Sequence, residues 1–74
     1  MNIEYYSVKE IDNESNITEY NYEKFHEAAK QYGKLVESGQ HFVDFTHEIV
    51  KDNGSMTFPV ASYWANTKKE IISI

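Results

Sequence analysis

Between Asn21 and Gly39, apolar side chains recur every three or four positions: Tyr22, Phe25, Ala28, Ala29, Tyr32, Leu35 and Val36. That spacing gathers them on one stripe of an α-helix and puts Lys24, Glu27, Gln31 and Lys34 on the solvated side. Asn21 is the expected N-cap, its side-chain oxygen accepting a free N–H of the first turn. Gly39 is the expected stop, because glycine adopts a left-handed conformation at little cost. Glu23 and Glu27 lie early and Lys30 and Lys34 late, which suits the helix dipole. Gly33 in mid-helix costs about 1 kcal/mol against alanine. It lies beside Ala29 at the edge of the stripe, so its presence predicts close approach of a strand backbone or an aromatic ring.

The remaining chain has the period of strands. Ile3 to Ile11 is rich in β-branched and aromatic residues, Asp12-Asn13-Glu14-Ser15 has turn composition, and Asn16 to Tyr20 returns. Facing Ile11 with Ile17 pairs Lys9 with Glu19 and Val8 with Tyr20, all favourable cross-strand neighbours. After the helix, residues 41–51 alternate. His41, Val43, Phe45, His47 and Ile49 share one face; Phe42, Asp44, Thr46, Glu48 and Val50 share the other. Asp52-Asn53-Gly54-Ser55 is a strong hairpin signal, and Met56 to Trp64 returns. Pairing Lys51 with Met56 sets Ile49 against Phe58, His47 against Val60, Phe45 against Ser62 and Val43 against Trp64 as the floor beneath the helix. On the other face Asp44 then stands opposite Tyr63, Thr46 opposite Ala61 and Glu48 opposite Pro59. Pro59 has no N–H to give, so its strand lies at an edge or carries a bulge. Residues 66–74 read either as a last short strand or as a loose tail.

The architecture expected is α+β: ββαββ in one domain of 74 residues, an antiparallel sheet of two hairpins with one helix on one face. Strand one carries Ile3, Tyr5 and Ile11 on one side and Tyr6 and Val8 on the other. A single helix covers one set. The second set, with Phe42, Val50 and Tyr63 beside it, is expected to remain as an exposed apolar-aromatic patch of the kind that marks an interface.

Composition narrows the partner. The chain has 12 acidic residues against 7 basic ones, all lysine, for a net charge of -5. Arginine is the usual residue for bidentate phosphate and base contacts, so direct nucleic-acid binding is disfavoured. Absence of cysteine removes disulfides and thiolate metal sites. The start has no charged-then-apolar leader pattern, and no apolar run reaches membrane-spanning length, so a cytoplasmic protein is expected. Asn13-Glu14-Ser15, Asn16-Ile17-Thr18 and Asn53-Gly54-Ser55 match a glycosylation pattern but read better as turn chemistry. A chain this small, with 15% aromatic residues and no staples, often gains stability by pairing, and a homodimer is expected on that ground.

Chemistry is sparsely signalled. His41 and His47 stand too far apart along a strand to share one ion, and nothing forces His26 to join them. Asp44 and Glu48 share a face, but a flat solvated sheet supplies no pocket to separate their pKa values. No nucleophile elbow or phosphate-cradling glycine loop occurs. Neither an enzyme, a cofactor nor a metal site is expected. Glu4, Glu10, Asp12, Glu14, Glu19, Glu23 and Glu27 crowd the first third; solubilising charge explains them more simply than mimicry of nucleic acid. The function expected is therefore a small non-catalytic protein-binding module, an inhibitor or adaptor of a host macromolecular complex. Tyr5, Phe42, Asp44, Glu48 and Tyr63 are its expected contact residues. The Asn, Ile, Lys and Tyr usage suits an AT-rich genome, which makes a phage or mobile-element counter-defence protein the most specific form of that expectation. A dimer that sequesters a small ligand or nucleotide is the second class.

Overall fold

A computed structural model describes residues 2–73. The chain runs β1 (Ile3–Ile11), β2 (Ile17–Tyr22), α1 (Phe25–Glu37), β3 (Phe42–Lys51), β4 (Gly54–Trp64) and β5 (Lys69–Ile72). All neighbouring strands are antiparallel, in the order β2-β1-β3-β4-β5, and the helix packs on one face. The expected α+β class is what the chain adopts, with the last segment added as a fifth strand.

The first hairpin has the register expected, with Ile11 facing Ile17, Lys9 facing Glu19 and Val8 facing Tyr20. Asp12 builds its turn. Its Oδ1 accepts from the backbone N–H groups of Glu14 and Asn16, each at 2.9 Å, and Oδ2 accepts from Asn16 Nδ2 at 3.1 Å. These bonds hold the Asp12 carboxyl below the usual carboxylate range.

The helix begins later than the sequence suggests. Lys24, extended at φ -113° and ψ 136°, is the N-cap and makes no side-chain capping bond, whereas Asn21 lies inside β2 opposite Ser7. Pairing of Tyr22 with Tyr6 holds that segment in the sheet, and its tyrosines reach the core from there. Gly39 does end the helix, with φ 76° and its N–H donating to the Val36 carbonyl at 3.2 Å. Gly33 has no crowded neighbour: a Cβ built there meets nothing within 4 Å. The expected close approach is absent.

Val8, Ala28, Tyr32, Leu35, Val43, Phe45, Val60 and Ala61 form the buried core between helix and sheet. Tyr32 ties the two layers beyond it, donating its hydroxyl to Glu70 Oε2 on β5 at 2.8 Å. Burial, then this bond, pushes the Tyr32 phenol well above its usual pKa.

The second hairpin departs from the expected register. Lys51 faces Gly54, leaving only Asp52 and Asn53 as the loop, so His47 meets Phe58 and Ile49 meets Met56. The register then shifts between Phe45 and Thr46: Thr46 faces Pro59 but Phe45 faces Ala61, with Val60 as the extra residue of a bulge. Pro59 therefore sits at both features its chemistry requires. It adjoins the bulge, and β5 pairs with Ala61–Trp64, leaving its stretch of β4 at the sheet edge among the described residues.

Candidate functional site

Because directly paired residues point the same way, the register sorts every side chain by face. Val8 pairs with Phe45, so Tyr6 and Val8 lie under the helix, and Ile3, Tyr5 and Ile11 form the uncovered set. The sequence left open which set the helix covers, and Tyr5 stands on the open side as a contact residue should. The bulge does reverse one expected assignment. With one extra residue in β4, Tyr63 pairs with Val43 and packs against the core, while Trp64 pairs with Phe42 on the open side.

The helix-free face then reads in rows across the sheet. One row is Ile17, Ile11, Phe42, Trp64 and Lys69. Its centre is an aromatic pair, Phe42 and Trp64, with ring centroids 5.0 Å apart. Ile17 at its end is 68% exposed, a large apolar side chain left in water. The next row is Glu19, Lys9, Asp44, Ser62 and Ile71. Lys9 approaches Glu19 at 3.9 Å, and Ser62 Oγ donates to Asp44 Oδ1 at 2.9 Å. Further along, Asn21, Ser7, Thr46 and Pro59 make a low centre, and Tyr5, Glu48 and Thr57 form the row beyond. Thr57 Oγ1 donates to Glu48 Oε1 at 2.7 Å. Ser7 and Thr46 are buried although no helix covers them.

Four of the five expected contact residues, Tyr5, Phe42, Asp44 and Glu48, share this face. Tyr63 does not. Trp64, assigned to the helix floor by the unbulged register, belongs to the face instead. It also lines a shallow, open pocket of about 390 Å³ with Asn66, Thr67, Lys69 and Ile71 at the β4–β5 turn. Asp44 and Glu48 lie four residues apart on one strand, about 13 Å at the strand rise, too far to share a proton. Each instead accepts from a hydroxyl on β4. His47 points to the helix side, where it stacks on Tyr6 at 4.6 Å and meets Glu4 Oε1 at 2.7 Å. Among the described residues, no three His, Asp or Glu side chains stand close enough to hold a metal ion, and no helix is long and apolar enough to cross a membrane.

Comparison with protein-family models, curated proteins and solved structures gives no match.

Proposed function

We propose that this chain is a small non-catalytic protein-binding module, acting in the cytoplasm, that docks through the helix-free face of its sheet as an inhibitor or adaptor. One observation carries the reading: the only helix among the described residues covers one side of a five-stranded sheet, and the other side presents Ile11, Ile17, Phe42 and Trp64 as one row. Aromatic anchors beside satisfied polar groups are the usual make-up of an interface centre with its polar rim. Glu48 with Thr57 and Asp44 with Ser62 supply that rim. A cysteine-free chain needs no oxidising compartment. The finer version, a phage or mobile-element inhibitor of a host defence complex, draws its support from the arginine-free composition rich in Asn, Ile, Lys and Tyr.

Capture from host lysate with tagged wild-type protein, Tyr5→Asp and Phe42→Asp tests the reading. A partner recovered stoichiometrically by the wild type should fall by about tenfold or more with each variant, the usual scale for a buried aromatic anchor. Circular dichroism should be unchanged in both. A partner held equally by both variants would remove this face from the account.

The second class, a ligand-sequestering protein, draws its support from the pocket that Trp64 and Lys69 help to line. Native mass spectrometry of freshly purified protein reads it directly: a mass above that of the bare chain supports it, and the bare mass opposes it.

A further inference from the structure

Strand β4 ends the sheet over its first half. It has eleven residues, GSMTFPVASYW, and none is charged. β5 covers Ala61–Trp64, and Ser73 N–H reaches the Val60 carbonyl at 2.8 Å, which leaves 54–59 with no strand on their outer side among the described residues. Natural sheets usually blunt such an edge with lysines, inward charges or proline, because its free N–H and C=O groups invite another strand. Here Pro59 stands at one end of the open stretch, and the rest is unprotected.

The side chains there are exposed as well. The helix packs chiefly on β1, β3 and β2. Consequently Met56 and Phe58, on the helix side of β4, are 44% and 41% exposed, and Phe25 at the start of the helix is 42% exposed. Phe25, Tyr6, His47 and Phe58 form a continuous run of rings, with successive centroids 5.5, 4.6 and 6.1 Å apart. This run lies on the opposite side of the sheet from the Phe42–Trp64 row.

We infer that the open half of β4 pairs antiparallel with the same stretch of a second copy, joining two sheets into one of ten strands. The sequence of the stretch is self-complementary in one register. A two-fold axis normal to the sheet keeps both helices on the same side, so facing residues must have the same parity. Centring the axis on Thr57 sets Thr57 against its own copy, Met56 against the second copy's Phe58, and Ser55 against its Pro59. Met56 and Phe58 then cover each other on the helix side, and the polar residues stay on the open face. A neutral strand suits a neutral strand, whereas each whole chain carries -5, so added salt should strengthen the pairing by screening that repulsion. The buried area lies at the small end for specific interfaces, and the dimer is accordingly weak and concentration-dependent. It is independent of the docking reading above, and it would set two docking faces side by side on one surface.

The cysteine-free chain allows a register-specific test. In this pairing the Thr57 Cα atoms lie about 5.5 Å apart, within disulfide range. Two copies of residue 55 lie about 13 Å apart along the strand and are out of range. Thr57→Cys should therefore form a disulfide dimer under mild oxidation far faster than Ser55→Cys or the turn control Asn13→Cys. Sedimentation velocity of the wild type should rise from monomer toward dimer between about 10 µM and 1 mM, the range for a small interface, and Met56→Lys should hold it monomeric. A wild type that stays monomeric throughout, with Thr57→Cys no faster than the controls, overturns the inference. A dimer that survives Met56→Lys and crosslinks through none of the edge positions also overturns it.

Discussion

Asp12 carries more of the first turn than any other side chain, and its consequence is a pH dependence of definite sign. Three hydrogen bonds favour its charged form, so the folded chain holds this carboxyl below the value it has when unfolded. The unfolded state therefore binds more protons as the medium is acidified. The stabilisation is present above the ordinary Asp pKa of about 3.9 and is lost as pH falls through the folded value. Thermal melts of the wild type and Asp12→Ala should differ most near neutrality and converge on acidification through that window. A Tm difference that stays constant down to acid would mean that the carboxylate charge plays no part. Position and polarity made this residue legible in the sequence. Trp64 was not legible, since its face depends on a bulge four positions away rather than on its own character.

That bulge acts at the scale of the element. In β4 the four-residue signal Asp52-Asn53-Gly54-Ser55 is compatible with a four-residue or a two-residue loop, and both give the same parity near the turn. The expected faces of Met56 and Phe58 therefore survive a register error of two. The Val60 bulge inserts a single residue, and a shift of one flips every side chain beyond it. Pro59 announced the bulge, but its effect on Tyr63 and Trp64 follows only once the register is counted through it. The helix boundary failed for a different reason. The apolar spacing at Tyr22 fits a helix and a strand alike, and pairing of β2 with β1 settles it. Gly33 offers a direct check at this scale. It sits in the interior of α1 with open space where a side chain would go. Gly33→Ala should raise stability by about 0.5–1 kcal/mol in urea unfolding, through helix propensity and a less flexible unfolded chain. A loss of stability would instead reveal a close contact at that site.

For the whole molecule, the two patterns of period 2 and 3.6 sufficed to give a single helix on an antiparallel sheet, because each face of each element had to be buried or left to water. The order of the hairpins was not legible. β1 pairs with β3 through nine residues that are far apart in the chain, and no local signal encodes such pairing. That central pairing decides which side of β1 is open, and hence the composition of the candidate face. On the proposed reading this face, and not the helix side, meets the partner. Hydroxyl-radical footprinting of the complex with the partner recovered from lysate separates the two, since both sides carry reactive rings. Protection at Tyr5, Phe42 and Trp64, with Phe25 and the solvated helix side chains as reactive as in the free chain, is the expected result. Protection confined to Phe25 and the helix, with Phe42 and Trp64 unchanged, would contradict it.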